Sequence, residues 1–178
     1  MSPRRRAPGE VPAAHRAASG GGAWTAAVLT ASDTRTSATD ESGAVIVELL
    51  TAAGLSVAGP RIVLDDQAAL TLAIRSALDR GADLVVVTGG TGVAPRDVTP
   101  EVVRALCDRE LPGFGEVFRA LSFSEIGPAA CLSRALCGIR GRQAVFALPG
   151  SPGACRLALE RLILPEWPHL ARQLGRRS

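Results

Sequence analysis

The sequence predicts an α/β fold, namely a three-layer α/β/α domain built on a mostly parallel central sheet. Strand-like and helix-like segments alternate in the order βαβαβ between Trp24 and Val87, and this order produces parallel strands joined by right-handed crossovers. The run Leu84–Val87 is wholly apolar and mostly β-branched, which is typical of a strand buried on both faces of a parallel sheet.

The first half of the chain supplies the five segments of this alternation. Each expected helix begins at an Asp or Ser that can cap its N-terminus and ends at a glycine. The second strand contains Gly59-Pro60, which predicts an edge position or a bulge, because proline cannot donate to a sheet ladder. The segments are strands at 24–31, 55–64 and 84–87, and helices from Asp40 or Ser42 to residue 53 and over 67–80.

The second half is expected to complete the sheet and its helical layers. Thr99 is predicted to cap a helix that has Pro100 at its first position and ends near Cys107. Residues 110–130 contain Gly and Pro at short intervals and predict several short helical pieces. The remaining expected elements are strands at 135–139 and 143–148, a helix capped by Ser151 and opened by Pro152 that runs to 162, and a last helix at 166–174.

Length and composition predict one globular domain. The chain has 178 residues, of which 47% are hydrophobic but only 3% aromatic, so its core must consist mainly of Ala, Val, Leu and Ile. Residues 1–22 are rich in Pro, Ala, Gly and Arg and are expected to form a disordered arm. Residues 23–174 are expected to form a single domain, followed by a tail at 175–178.

Charge and cysteine content exclude several classes of function. The net charge of +3 belongs to the arm, where four Arg face one Glu, while the other 16 Arg and 16 acidic residues cancel. No nucleic-acid-binding face is therefore expected, and no run is apolar enough to span a membrane. The four Cys residues lack C-x-x-C spacing, so we expect no zinc site but four buried thiols in a reducing cytoplasm.

The chemistry available to the chain is also restricted by what it lacks. All 20 basic residues are Arg, and the sequence contains neither Lys nor Tyr. A P-loop lysine, a Schiff-base lysine and a tyrosine acid are therefore excluded. Any phosphate group must be bound by Arg, by backbone N–H groups or by a metal ion.

A glycine-rich turn, Thr88–Gly92, directly follows the buried strand and has the sequence TGGTG. Glycine permits positive φ and leaves backbone N–H groups open, so this turn suits an anion such as phosphate. It lies at the carboxyl end of a central strand, where open α/β sheets bind their ligands. A tight turn without a ligand is the alternative, but the strand before it and the Arg96-Asp97 loop after it favour a binding site.

Acidic residues follow neighbouring strands on this same edge. Asp97 is either a loop acid that pairs with Arg96 or caps a turn, or a magnesium ligand. Asp65 and Asp66 follow the second strand. Asp at a helix start is ordinary capping, but adjacent carboxylates at the ligand-binding edge also suit a hydrated divalent cation.

Two further loops complete this edge of the predicted sheet. Asp33 and Asp40 flank a polar segment that is either a flexible loop or a lid that contacts phosphate. Pro149–Pro152 repeats the strand–Gly–Pro pattern and is either a rigid helix entry or the far wall of a cleft. Acidic residues from several connections at one edge together predict a glycine-lined crevice that binds a polyphosphate through a divalent ion.

Four stretches resemble one known family: TGGTGVAPRDVTPE, ELPGFGEVFRALSFSEIG, LSRALCGI and VFALPGSPGA. This is the family of molybdenum cofactor biosynthesis proteins, which includes molybdopterin adenylyltransferase (Mog) and molybdenum cofactor biosynthesis protein B. The resemblance runs from about Trp24 to about Leu174. It implies a cytoplasmic homotrimer or homohexamer that condenses molybdopterin with ATP and Mg²⁺, giving adenylylated molybdopterin and pyrophosphate.

The resemblance also implies roles for individual residues. The pterin's terminal phosphate is already an anion, so the reaction needs no strong base, and its barrier is the repulsion between two anions. A carboxylate-held cation and N–H donors reduce that repulsion. The implied positions are Thr88, Gly89, Gly90, Thr91 and Gly92 for nucleotide and phosphate, Asp97 and Asp66 (in preference to Asp65) for catalysis and magnesium, and Asp40, Arg96 and Ser151 for the pterin.

Two other functions remain as hypotheses. One is binding of molybdopterin or nucleotide without turnover. The position of Asp66 and Asp97 distinguishes it from adenylylation, which requires both side chains to point into one cleft. The other is a nucleotide pyrophosphatase related to the competence-damage-inducible proteins. Those proteins usually carry an additional domain, for which a chain of 178 residues has no room.

Overall fold

Six strands and six α-helices make up residues 24–175, the part of the chain that the computed structural model describes. The strands are β1 (Thr25–Ala31), β2 (Ser56–Val63), β3 (Leu84–Thr88), β4 (Arg109–Glu110), β5 (Leu136–Arg140) and β6 (Gln143–Leu148). The α-helices are α1 (Glu41–Ala52), α2 (Gln67–Asp79), α3 (Thr99–Leu106), α4 (Pro112–Ile126), α5 (Pro152–Ala158) and α6 (Leu164–Gln173). A 3-10 segment, Gly127–Leu132, precedes β5, and a π-helical segment, Leu159–Ile163, joins α5 to α6.

The strands form one mixed sheet in the order β2-β1-β3-β6-β5-β4. The first four are parallel, and β5 and β4 add an antiparallel edge, so the mostly parallel sheet is confirmed. The chain passes from β1 out to β2 and then returns to β3 on the other side of β1. The strand order therefore reverses between β1 and β3, and a crevice at such a point is the usual ligand site of an open α/β sheet.

Alternate side chains of the central strands enter two separate cores. On one face, Val28 and Val86 pack with α1, α4, α5 and α6. On the other face, Leu29 and Val87 pack with α2 and α3. All five residues of β3 are buried because helices cover both faces, which confirms the three-layer architecture. Within residues 24–175, no helix is long and apolar enough to cross a membrane.

The region 110–130 differs from its prediction. It forms the two-residue strand β4, one continuous helix of 15 residues and the 3-10 segment, rather than several short helical pieces. Gly115 does not break the helix, because packing requires it there. A Cβ at this position would lie 2.6 Å from the carbonyl oxygen of Ala135. Tertiary contact thus overrides the low helix propensity of glycine.

Two helix ends also differ from their predictions. Thr99 is not an N-cap but the first residue of α3, and the capping residue, Val98, makes no side-chain cap bond. The two helices expected at 152–162 and 166–174 are one helical run from Pro152 to Gln173, because the π-helical segment carries the chain across. That segment ends shortly before Pro165, whose missing N–H leaves a preceding carbonyl without its usual partner.

The expectation of four buried thiols holds for two of them. Cys137 and Cys155 are buried, whereas Cys107 is half-buried and Cys131 is exposed at the end of the 3-10 segment. All four are free. Burial raises the pKa of both Cys107 and Cys155 to about 11, so these thiols stay protonated at neutral pH. The predicted arm at 1–22 and residues 176–178 of the predicted tail lie outside the described residues.

Candidate functional site

The carboxyl ends of β3 and β6 border a cleft of about 360 Å³, which we call the glycine cleft. The loop after β6 lines it together with the glycine turn, as expected for a cleft wall at Pro149–Pro152. Ser133, which precedes β5, also lines it; the stretch LSRALCGI contains this residue, but no role was predicted for it. The lining residues are Gly89, Gly90, Thr91, Gly92, Asp97, Ser133, Pro149, Gly150 and Ser151.

The glycine turn approaches its neighbours too closely for any side chain. Gly89 and Gly90 have φ values of 98° and 63°, in the left-handed region that favours glycine. A Cβ at Gly89 would lie 2.3 Å from the carbonyl oxygen of Ala31. A Cβ at Gly90 would lie 2.5 Å from Thr99 Oγ1 and 2.7 Å from Asp65 Oδ1. The turn therefore places bare backbone against two polar side chains.

Thr88 has a structural position rather than a place in the cleft lining. Its side chain is fully buried, and its hydroxyl donates to the carbonyl oxygen of Pro149 (2.8 Å). The hydroxyl also lies 3.3 Å from Cys155 Sγ, in a contact where either atom can donate. Thr88 thus links the end of β3 to the loop after β6 and fixes the two walls of the glycine cleft.

The two adjacent acids after β2 have different surroundings. Asp66 is exposed and is the N-cap of α2, where its Oδ1 accepts a hydrogen bond from the N–H of Ala69 (2.9 Å). Asp65 is half-buried and directs its Oδ1 to Gly90. The geometry therefore brings Asp65 to the glycine turn, in contrast to the preference for Asp66 drawn from the sequence. The pattern Asp-Asp before a helix cannot show which of the two acids caps it.

Two oxygen atoms at Gly90 are buried and have no hydrogen-bond partner among the described residues: Asp65 Oδ1 and Thr99 Oγ1. Unpaired buried polar atoms are costly, and they are satisfied by a ligand, an ion or ordered water. The Thr99 hydroxyl is available because Thr99 does not cap α3. These two atoms are the strongest indication that the site is built to receive a polar ligand.

Carboxylates from three successive βα loops interact electrostatically at this edge. Burial raises the pKa of Asp65 above its ordinary value, and the negative charges of Asp97 and Asp33 raise it further. The positive charge of Arg96, which is exposed, acts in the opposite direction. Asp33 also accepts a hydrogen bond from the N–H of Asp65 at Oδ1 (3.1 Å). A cation is the natural neutralising partner for such a group of acids.

The acids fit a magnesium ion that brings most of its own ligands. Within residues 24–175, no three His, Cys, Asp or Glu side chains are grouped closely enough to hold a metal by themselves. Mg²⁺ is commonly held by one or two carboxylates, with water and substrate phosphates completing its octahedron. Asp65 and Asp97 can supply those carboxylates because their charges interact, whereas Asp66 is not among the charges that act on Asp65.

Asp40 lies in the interior and not in the cleft lining. It is 3% exposed and caps α1 by accepting from the N–H of Gly43 (2.9 Å). The same oxygen, Oδ1, also accepts from the hydroxyl of Ser42 (3.2 Å), while Oδ2 accepts from the hydroxyl of Thr30 (2.6 Å). With both oxygens bonded, Asp40 is a structural anchor between β1 and α1.

Three other polar residues surround the glycine cleft. Ser151 lines it and caps α5 by accepting from the N–H of Ala154 (3.3 Å). Arg35, from the loop after β1, donates to the carbonyl oxygen of Gly150 (3.2 Å). Arg35 therefore joins the β1 and β6 loops and brings a cation next to the cleft, as Arg96 does on the side of Asp65.

Comparison with known proteins identifies the family. A family model described as a probable molybdopterin binding domain matches residues 27–169. The molybdenum cofactor biosynthesis protein B of Halalkalibacterium halodurans is 50% identical over 149 residues, which cover 83% of this chain and 88% of that protein. A crystal structure of molybdenum cofactor biosynthesis protein B has a TM-score of 0.83 at 46% identity and covers 88% of this chain and 98% of its own.

A structure of the molybdopterin biosynthesis Mog protein from Mycobacterium ulcerans has a TM-score of 0.80 at 33% identity, over 88% of this chain and 100% of its own. The resemblance inferred from the four sequence stretches is thereby confirmed. The chain belongs to the molybdenum cofactor biosynthesis family.

Proposed function

We propose that this protein adenylylates molybdopterin with ATP and Mg²⁺ and releases pyrophosphate. The observation that carries the proposal is the meeting of Asp65 Oδ1 and Thr99 Oγ1 at Gly90. Both atoms are buried and have no partner in the described part of the chain, and the turn is too narrow for a side chain at Gly90. A bare turn with open N–H groups next to carboxylates suits a polyphosphate that is accompanied by a divalent cation.

In this proposal the polyphosphate of ATP lies on Gly89–Gly92, where the three glycines allow close approach to the backbone. Mg²⁺ would be held by Asp65 and Asp97 and by phosphate oxygens. When bound, it would neutralise charge on the polyphosphate and on the leaving pyrophosphate. The molybdopterin would occupy the side of the cleft formed by Pro149–Ser151 and Ser133.

The reaction joins two anions and transfers one adenylyl group. An oxygen of the terminal phosphate of molybdopterin attacks the α-phosphorus of ATP, and a new P–O bond forms. The bond between the α-phosphorus and the bridging oxygen breaks, and pyrophosphate leaves with the electron pair. No proton needs to be removed from the nucleophile, so the chain's tasks are to align the two phosphates and to reduce their repulsion.

Residues around the glycine cleft can align the two phosphates and reduce their repulsion. Thr88 fixes the distance between the two walls through its bond to Pro149. Arg35 and Arg96 bring positive charge to these loops in a sequence that has no lysine. A fixed set of N–H dipoles and cations stabilises transition-state charge without reorganisation, which is commonly the largest contribution to such catalysis.

A homotrimer or homohexamer in the cytoplasm is part of the same proposal. The oligomer is supported by large apolar side chains that stay exposed on α4 and the 3-10 segment. Exposed apolar surface is typical of protein–protein interaction sites. These residues are Val117, Phe123, Ile126 and Leu132, with exposed fractions of 47%, 59%, 60% and 56%.

The proposal is tested by incubating the full-length protein with ATP, Mg²⁺ and molybdopterin. We expect pyrophosphate and adenylylated molybdopterin in equal amounts, and neither product when Mg²⁺ is chelated. Binding of both substrates without pyrophosphate would instead identify a carrier of molybdopterin.

A further inference from the structure

Arg134 lies immediately before β5 and contacts the loop that carries Asp97. Its backbone N–H donates to the carbonyl oxygen of Thr91 (3.0 Å), and its Nε donates to that of Gly92 (2.6 Å). One Nη donates to the carbonyl oxygen of Asp97, and the other pairs with Glu101 in the first turn of α3. The Arg134 side chain is only 32% exposed, so these charge-assisted bonds are partly shielded from water.

The loop 91–97 has no other anchor of this kind. Within residues 24–175, every hydrogen bond that ties it to a distant segment comes from Arg134. Its remaining bonds are local: the N–H of Ala94 donates to the Asp97 carboxylate (2.8 Å), and the N–H of Asp97 donates to Ala94 (2.9 Å). Residues 93–96 are exposed, so packing adds little. Apart from the backbone bond between Arg134 and Thr91, the position of the loop therefore depends on one guanidinium group.

Peptide geometry links this anchor to anion binding. In a planar trans peptide, the carbonyl group and the N–H of the next residue point in opposite directions. The carbonyl oxygens of Thr91 and Gly92 that accept from Arg134 thus turn the N–H groups of Gly92 and Val93 away from it. An anion is attracted by N–H groups and repelled by carbonyl oxygens. Arg134 therefore binds the face of the loop that an anion would avoid.

We propose that Arg134 is a positioning residue that holds the loop 91–97, and with it Asp97, in the arrangement that binds the magnesium–nucleotide complex. The inference rests on the proposed function for the identity of the ligand. Arg134 follows Gly92 by 42 positions in the chain, so this role becomes visible only when the fold brings the two segments together.

Three variants of the full-length protein separate this role from a general loss of stability. Arg134→Met removes all the guanidinium donors. Arg134→Lys keeps the charge but replaces the planar fork by a single ammonium group. Arg104→Met is the matched control, because it removes another partly exposed Arg with its own ion pair, to Glu110 (2.8 Å). Within the described residues, none of the hydrogen bonds of Arg104 reaches the loop.

Two measurements are made on each variant: amide hydrogen exchange without ligand, and the Kd for ATP in the presence of Mg²⁺. For Arg134→Met we expect exchange at residues 91–98 to be at least about tenfold faster, with β3 and α2 unchanged, and the Kd to rise about tenfold or more. Arg134→Lys should fall between Arg134→Met and the wild type. Arg104→Met should stay within about twofold of the wild type in both measurements.

A folded Arg134→Met variant with wild-type loop exchange and wild-type Kd would overturn the inference, as would faster exchange spread evenly over the chain. Should Arg134→Met not fold, the same two readouts on Arg134→Lys decide the question. A wild type that binds ATP and Mg²⁺ without releasing pyrophosphate would refute the proposed reaction. Even then, faster local exchange and weaker binding in the variants would support the positioning role of Arg134.

Discussion

The carboxylate of Asp33 accepts a hydrogen bond from the backbone N–H of Asp65, at 3.1 Å. This bond joins the loop after β1 to the loop after β2 and brings two negative charges close together. Burial raises the pKa of Asp65, and the negative charges of Asp97, from the loop after β3, and of Asp33 raise it further. Like charges at a sheet edge are tolerated where a cation neutralises them, so this cluster supports the proposed binding of a magnesium–nucleotide complex.

Asp65 and Asp66 should respond differently to the same substitution. Asp65→Asn removes the charge that faces Gly90, and we expect kcat/KM for molybdopterin adenylylation to fall by about 100-fold or more. Asp66→Asn keeps an oxygen that can cap α2, because Asn is as good an N-cap as Asp. Steady-state assays should therefore find Asp66→Asn within about twofold of the wild type. The reverse order of effects would return the catalytic role to Asp66.

The pH dependence of Mg²⁺ affinity should report the raised pKa of Asp65. Protonation of Asp65 removes a ligand, so affinity in the presence of nucleotide is lost as the pH falls through this pKa, which lies above that of an ordinary Asp. Asp33→Asn removes one of the charges that raise the pKa of Asp65, but it keeps the side-chain oxygen that accepts from the backbone N–H of Asp65. The acid midpoint of Mg²⁺ binding, measured by calorimetry, should move to lower pH.

Asp66→Asn is the control for that measurement, because Asp66 is not among the charges that shift the pKa of Asp65. Its midpoint should equal that of the wild type. An unchanged or higher midpoint in Asp33→Asn would mean that the two acids do not interact as the geometry indicates.

Gly90 should tolerate no side chain. A Cβ there meets Thr99 and Asp65 at 2.5 and 2.7 Å, and φ is positive. We expect Gly90→Ala to lower the free energy of unfolding by about 1–2 kcal/mol and to abolish detectable nucleotide binding. Gly113→Ala is the matched control, because nothing lies within 4 Å of its Cβ and it sits in the first turn of α4. Chemical denaturation and nucleotide titration of Gly113→Ala should show no loss.

Asp40 should act on stability rather than on the chemistry. Both of its oxygens accept hydrogen bonds in the interior, so Asp40→Asn places an amide N–H₂ opposite a donor group. We expect the free energy of unfolding to fall by about 1–3 kcal/mol. The Kd for molybdopterin in the folded fraction should not change. A weaker Kd with unchanged stability would instead support the direct pterin contact implied by the family resemblance.

The sheet and the location of the site were predictable because they depend on local signals. The apolar, mostly β-branched run before TGGTG is typical of a strand covered on both faces, and it ends where parallel sheets bind ligands. The order of the strands and the antiparallel edge depend on contacts between distant segments, which no single segment encodes. Gly115 shows the same limit, because it is Ala135, in a distant segment, that leaves no space for a side chain at this position.

Within the site, spacing identified the acids but not their orientation. Asp65 and Asp66 are chemically identical in sequence, and only the start of α2 determines that Asp66 caps the helix while Asp65 faces the turn. Asp40 carries the same Asp signal as the others, yet it is buried beneath its loop. Ser133 and Arg134 reach the glycine cleft and its loop from a segment that has no glycine or acid signal of its own.

The most direct test of the central claim is transfer of labelled adenylyl groups from [α-³²P]ATP to molybdopterin, in wild type and in Asp97→Asn. We predict that the wild type forms labelled adenylylated molybdopterin and one pyrophosphate per label in a reaction that requires Mg²⁺. Asp97→Asn, which removes charge but keeps shape, should lose transfer by about 100-fold while still binding molybdopterin. Full transfer by Asp97→Asn, or a wild type that binds both substrates and releases no pyrophosphate, would contradict the account.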